Sequence, residues 1–491
     1  MTDFQVLKQM LSSEKQVLEP GTEAYSKAVF IGNLNYRMTM PAVVIEAASV
    51  EDVQVAVTFA RQNKVRLTGG IVLDLAGMKG CFIDPDNMTI KMEGGLLWKD
   101  AYYKYLKDPS LIVISGQCPT VGVSGFTLGG GLSPFSHSYG LACDNLLEMT
   151  LVTYEGKVIT VSRDDKDEKK RDLFWALTGG GGGNFGVTVS MTCKIHKLKD
   201  ADGTVVCGQL SWNLPQQKEA FDQMMECFNT TKCPDELTVD ALWTHGKGKQ
   251  LTGGMTVIYN GGWDAAQKAL RHILNFKPAT NIHISEGWDP FSKVYHHHAS
   301  FIFAEGAVTR DLNTNISALV AEAVQLLGIT DDNGPNDPKC HILWDHIGAA
   351  TSHIGPKDTA FYWRNGDYVS TVKVQWTDPT QGPKMMDFIA KCQSVLLPYA
   401  IEQKAAYLNY IDGTVPNWQE AYYGRNYPRL QKVKTEWDPQ NFFRNMQSIQ
   451  PLIEGTKART IHDTLAVPSK AEILSLPEVQ KWKGGGSTMR H

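Results

Sequence analysis

Four stretches of this sequence set titratable side chains among aromatic ones: Tyr295-His296-His297-His298, Trp344-Asp345-His346, Tyr362-Trp363-Arg364 and Tyr407 to Tyr410. An imidazole or a positioned phenol can give or take a proton at a reacting centre. On a strand, His296 and His298 would share one face while His297 points away. With no carboxylate at ligand spacing beside them, these histidines predict an acid or base and no metal site. Tyr407 and Tyr410, with an ordinary phenol pKa of about 10, can donate a proton with or without a redox cofactor. Arg364 could hold an acidic enol oxygen by a charge-assisted bond, although a surface ion pair is the commoner role for an arginine. Core tyrosines with satisfied hydroxyls remain the plain alternative for the two phenols.

The sharpest local pattern is the run GQCPTVGVSGFTLGGGLSPFSHSYGLACDN, residues 116–145. Gly122, Gly125, Gly129, Gly130 and Gly131 strip side chains from a backbone that could then approach a large ligand and offer N–H groups to phosphate oxygens. It has neither the dinucleotide spacing GxGxxG nor a P-loop lysine, and tight turns are the bland alternative. A second block, DLFWALTGGGGGNFGVT, puts five glycines after an aromatic helix. There Trp175 is either a cofactor platform or ordinary core.

The elements that must position these residues are legible in outline. Ser49 and Asp52 form a capping-box pattern ahead of Val53, Ala56, Val57 and Ala60, which predicts an amphipathic helix. Val65 to Thr68 and Ile71 to Leu75 read as strands joined by a Gly69-Gly70 hairpin turn. Thr89 to Met92 and Leu111 to Ile114 read as strands, LLWKDAYYKYL as a helix, and Leu146 to Ser162 as a hairpin turning at Glu155-Gly156. From about Thr204 to Tyr399, strands such as TVVCGQLSW, MTVIYN and YVSTVKVQW mix with helices such as KEAFDQMMECF and ISALVAEAVQLLG. That mixture predicts an antiparallel sheet flanked by helices, and an α+β class for the whole.

Composition narrows the partners. Lys+Arg 48 against Asp+Glu 52 leaves a formal charge of -4, without the basic surface that nucleic acid requires. No apolar run reaches the length of a membrane span, and the charged start MTDFQVLKQMLSSEKQ lacks the apolar core of a secretory signal, so a cytoplasmic chain is expected. Nine scattered cysteines without a CxxC pair argue against a disulfide framework or a zinc site.

CPTVGVSGFTLGGG, YGLACDN, DLFWALTGGGGGNFG, YLNYIDG, YYGRNYPRL and DPQNFFRNMQSI together resemble the FAD-linked oxidases of the berberine-bridge-enzyme-like group over about residues 37–450. The resemblance implies a PCMH-type FAD-binding fold of two α/β subdomains plus a substrate domain. Its boundaries would be an N-terminal extension 1–36, a FAD-binding-type domain 37–200, a substrate domain 201–400, a returning segment 401–455 and a tail 456–491. It also marks Cys118, Gly122, Ser124, Gly125, Gly129, Gly130, Asn445 and Gln447 as cofactor-contacting positions, Cys118 as the second flavin attachment point, and the YLNY tyrosines as near the flavin ring. The usual member carries a loop with Arg-Gly-Gly-Gly-His-Ser between the strands written here as Val65 to Thr68 and Ile71 onward, and its His bonds the flavin. Here only Gly69-Gly70 stands there.

Losing several charge-assisted donors, each worth roughly 1.5–3 kcal/mol, weakens cofactor binding by orders of magnitude. The expectation is therefore no cofactor, with FAD as the alternative. The matching function is a flavin-independent enzyme that controls dehydration to a quinone methide and a stereoselective hetero-Diels–Alder closure with a polyene, as in some fungal proteins that look like this group. Its substrate would be an apolar polycyclic or terpenoid intermediate, and His296, His298, Tyr407, Tyr410 and Arg364 would be the reacting side chains. The alternative is an FAD-dependent oxidase of an alcohol or amine.

Overall fold

Ser49 accepts the Asp52 backbone N–H at 3.1 Å and starts a helix over Val50–Gln62, as the sequence predicts. The Asp52 carboxylate does more than close a cap. It accepts from Ala48 N, from Ser12 N and Oγ, and from Gln16 Nε2, which ties the N-terminal segment to the start of the helix. In this computed structural model the described residues are 4–30, 33–36, 40–65, 70–200, 202–245, 250–278, 295–304, 306–329 and 337–452, with no side-chain description at 295 and 296.

The strand Ile71–Asp74 exists, and among the described residues its partner is not the expected hairpin neighbour but an earlier strand. It runs parallel to Val43–Glu46, with Val43 opposite Ile71, so the helix 50–62 is the crossover of a strand–helix–strand unit. Gly70 already belongs to that pairing, since its carbonyl accepts from Ala42 N at 2.7 Å. Residues 66–69, where the hairpin's first strand and turn would fall, lie outside the described residues. Burial decides the pairing. Ile71, Val43 and Ile45 are fully buried against Ala56, Phe59 and Ala60 of the helix. The sheet also begins before residue 37, because Val17–Leu18 pairs antiparallel with the strand Val43–Glu46.

A second sheet orders its strands as Cys81–Asp84, Thr89–Glu93, Val187–Lys197, Leu146–Val152 and Val158–Ser162, with Leu111–Val113 pairing beside Val187–Lys197. The hairpin at Glu155-Gly156 forms, with Val152 opposite Val158 and Gly156 at φ +80°. In place of one helix over LLWKDAYYKYL there is a turn of helix at Trp98–Asp100 followed by a widened turn over Ala101–Tyr105.

The third sheet is six-stranded and antiparallel, in the order Val206–Asn213, Leu251–Tyr259, Leu237–His245, Lys339–His346, Gly366–Trp376 and Tyr295–Ala304. Helices Leu214–Thr230, Trp263–Leu274, Arg310–Leu327 and Gly382–Leu396 cover one face, burying Trp212, Trp243, Phe303, Trp344 and Tyr368. Alternation sends Asp240, Leu343, Asp345, Thr371 and Ser300 to the other face. That face lies over the glycine-rich block. Gln117 reaches Asp240, and Ser300 bonds both the Tyr407 carbonyl and its N–H. The chain after residue 400 returns to the second sheet: Ala406, Leu408, Tyr422, Tyr423, Leu430 and Ile449 share a core with Ile90, Met149 and Phe185.

Candidate functional site

The face of the third sheet turned toward the glycine block carries its polar residues in register. Leu242 stands opposite Leu343, so two residues further along Asp240 and Asp345 face one another across the pair. Directly opposed side chains on antiparallel strands have Cβ atoms roughly 4.5–5.5 Å apart. Asp240 is 3% exposed. Its Oδ2 accepts from Gln117 Nε2 at 2.8 Å and its Oδ1 from His346 N at 3.0 Å. Burial pushes the Asp240 carboxyl up to about 6 against those two bonds. Burial, then the charge of Asp240, holds Asp345 well above the usual carboxylate range. The Tyr410 hydroxyl donates to Asp345 Oδ2 at 3.3 Å. Two rows from Asp345 on the same face, His341 pairs with Lys373 and Lys373 with His298. Burial and then the lysine charges push His341 down to about 3, so that ring is neutral.

Beneath this roof, the Tyr407 oxygen accepts from Gly131 N at 2.9 Å and from Asn409 Nδ2 at 3.1 Å. Two donors favour a phenolate, yet burial outweighs them and raises the Tyr407 pKa. The ring packs edge-on to Tyr410 with centroids 5.3 Å apart. So Tyr407 is the buried support and Tyr410 the half-buried tip.

The glycines divide into two kinds. A Cβ at Gly122 or Gly125 would meet nothing within 4 Å, so bare backbone there borders open space, beside the half-buried Cys118 thiol. Ser124 Oγ donates to the Gly94 carbonyl at 2.9 Å and fixes this short stretch. Gly129 is different, since a Cβ would sit 1.9 Å from Asn409 Oδ1; at Gly130 it would press on Phe361 and Tyr407. These are close-packing glycines, whereas Gly122 and Gly125 leave bare backbone facing open space, which permits the close approach of a large ligand. Asn445 and Gln447 act through the backbone: Asn445 Oδ1 accepts from Gln447 N, and Gln447 Nε2 donates to the Asp412 carbonyl. Ile449 N donates to Asn184 Oδ1, which pins this segment to the five-glycine turn.

Several expected site residues are placed elsewhere. Arg364 is 3% exposed, and its guanidinium forms a two-pronged pair with Asp144 at 2.8 and 2.6 Å and bonds Thr359 and the Phe361 carbonyl. The expected surface pair is thus a buried one, and the group that was to hold a substrate oxygen locks two loops together. His297 pairs with Asp412 at 3.0 Å on the helix-covered side, and His298 packs edge-on to Tyr410 at 6.2 Å. His296 stands opposite Gln375 on the same strand face as His298, and its side chain is outside the described residues. Trp175 is core rather than platform: its Nε1 donates to the Lys357 carbonyl and Arg429 stacks on its ring. Among the described residues no three His, Cys, Asp or Glu gather as a metal site.

Sequence reasoning missed Asp240 and Gln117. The available signal was a single carboxylate inside the apolar strand LTVDALW, a placement that is costly without partners.

Residues 41–162 match the FAD binding domain family and residues 406–450 the berberine and berberine like family. The chain thus carries both segments, FAD-binding and berberine-like, that characterise berberine-bridge-enzyme-like proteins. It is 27% identical over 463 residues to the uncharacterized FAD-linked oxidoreductase YvdP of Bacillus subtilis, covering 89% of this chain and 98% of that one. It is also 27% identical over 446 residues to the FAD-linked oxidoreductase ZEB1 of Gibberella zeae, covering 81% and 74%. Among solved structures, Physcomitrella patens BBE-like 1 aligns with a TM-score of 0.75 at 24% identity, over 91% of this chain and 99% of that one. The PCMH-type FAD-binding fold of these relatives is the fold described above. An FAD-binding domain and FAD-linked relatives favour FAD, the alternative expectation, and lend no support to a cofactor-free chain. No helix among the described residues is long and apolar enough to cross a membrane.

Proposed function

We propose that this protein is an FAD-linked oxidoreductase that removes a hydride from an alcohol or amine carbon of a largely apolar, polycyclic or terpenoid small molecule. The observation that carries this reading is that the glycine block with bare backbone at Gly122 and Gly125 is tied, through Gln117 to Asp240 and through Phe126 to Asn409, to a proton-accepting pair, Asp345 on the opposing sheet and Tyr410 on the returning segment. Cys118, Gly122, Ser124 and Gly125 would hold the flavin ring, which when bound supplies the two-electron acceptor. The chain's own residues do the proton work. The substrate hydroxyl gives its proton to the Tyr410 oxygen as Tyr410 passes its own to Asp345, a relay that needs Asp345 ionised. Half-buried Leu242 and Leu343 supply apolar surface on the same face. Reduction of the bound flavin by a panel of alcohols and amines without oxygen tests this, with Tyr410→Phe expected to slow reduction about 10²-fold or more. A folded, flavin-loaded protein in which Tyr410→Phe reduces as fast as the wild type refutes the assignment.

A second reading, flavin-independent dehydration and hetero-Diels–Alder closure, is favoured by one observation: the connection from Gln62 to Ile71 contains no His. The same carboxyl and phenol would then act as acid on a leaving hydroxyl, and would have to be protonated. The two readings differ in the sign of their pH dependence. Oxidation rises, and dehydration falls, as pH passes upward through the Asp345 titration.

A further inference from the structure

Asp240 belongs to none of the sequence motifs, yet it is buried at the centre of the roof. Its bonding partners are neutral donors, Gln117 from the glycine block and the His346 backbone. Across the strand pair stands a second carboxyl, and beyond that the Tyr410 hydroxyl. We propose that Asp240 is a positioning residue: it sets the proton affinity of Asp345 so that the two carboxyls hold one proton between them, available to Tyr410. Gln117, one residue before Cys118, couples that shared proton to the loop beneath.

The groups facing the pair are accounted for on each element. The returning C-terminal segment presents Tyr410 and Tyr407 and the glycine block presents Gln117, while the neighbouring strand sets Val369 opposite Asp345 and carries Lys373, with His341 and His298 beside it, two rows along the same face. Two opposed carboxyls cannot both ionise cheaply, and neutral phenols do not relieve the repulsion. The raised titrations of both acids agree with this geometry. The inference deepens the proton relay proposed above but does not depend on which reaction uses it.

The test is an infrared titration of the folded protein as isolated, reading the carboxylic acid C=O band, with neither substrate nor added flavin. In the wild type the band persists about two pH units above the ordinary carboxylate range. Asp240→Asn removes one charge and keeps the shape, so Asp345 titrates lower by about one unit or more, a tenfold change in its acid-to-carboxylate ratio. Gln117→Leu keeps both acids, removes a donor to the ionised form, and raises the midpoint. An unchanged midpoint in Asp240→Asn, or no band above the ordinary range in the wild type, overturns the proposal. Should Asp240→Asn not fold, Gln117→Leu decides alone, and an unchanged midpoint there overturns it. Failure of the flavin-reduction test would sink the oxidoreductase reading and leave this result standing; an unchanged midpoint would do the reverse.

Discussion

Replacing Asp240 with Asn should change how stability depends on pH. In the folded chain this carboxyl titrates near 6, against an ordinary value of 3.8. A carboxyl whose folded pKa is raised binds its proton more tightly in the native than in the unfolded state. Its contribution is therefore favourable below the unfolded pKa, declines as pH rises toward 6, and is fully lost above it. At about 1.36 kcal/mol per unit, the swing is roughly 3 kcal/mol. Asn keeps an acceptor oxygen for His346 N and turns its NH2 toward Gln117, whose side-chain amide can flip to accept from it, but it does not titrate. Urea unfolding of wild type and Asp240→Asn at about pH 4 and about pH 7.5, a window that spans most of this swing, should show the difference in stability moving by about 2.4 kcal/mol in favour of the variant as pH rises. Part of that swing is shared with Asp345, so Asp345→Asn should show a change of the same sign. A difference that stays constant within about 0.5 kcal/mol across the two conditions would refute the claim that burial and the opposed carboxyl raise this group.

Three further outcomes follow from the packing. Gly125→Ala points its methyl into open space, so its melting temperature should match the wild type while flavin content falls; Gly129→Ala, forced against Asn409, should lower melting by displacing Asn409 and with it a donor to Tyr407. Arg364→Ala leaves Asp144 buried without its partner and should cost about 3–5 kcal/mol in chemical denaturation, with loss of soluble protein as the cellular readout. Ser49→Ala removes the cap of the crossover helix and should cost about 1 kcal/mol by the same measurement.

What the sequence disclosed follows from how local each cause is. The Ser49 cap and the Glu155-Gly156 hairpin are decided within a few residues, and both form as read. The Gly69-Gly70 pair carried an equally local turn signal, but the strand after it pairs with residues 43–46. The intervening helix and the burial of Ile71 against Val43 and Ile45 select a parallel partner that no dipeptide can specify. Tyr407 and Tyr410 were singled out from their motif, whereas their different surroundings depend on Gly131 and Asp345 arriving from distant segments. Asp240 lay hidden because its meaning comes from Asp345 across the sheet. Arg364 read as a substrate-oxygen holder or a surface ion pair because Asp144, 220 residues earlier in the chain, is invisible to local reading.

The most direct test of the account is the flavin content of the folded protein. Denaturing purified protein and measuring both released FAD and flavin left on peptides should give about one flavin per chain, either free or on the peptide containing Cys118, with none on the segment between Gln62 and Ile71. Protein that is folded, carries no flavin after incubation with excess FAD, and still turns over its substrate without consuming oxygen would contradict the oxidoreductase reading and leave the pericyclic one.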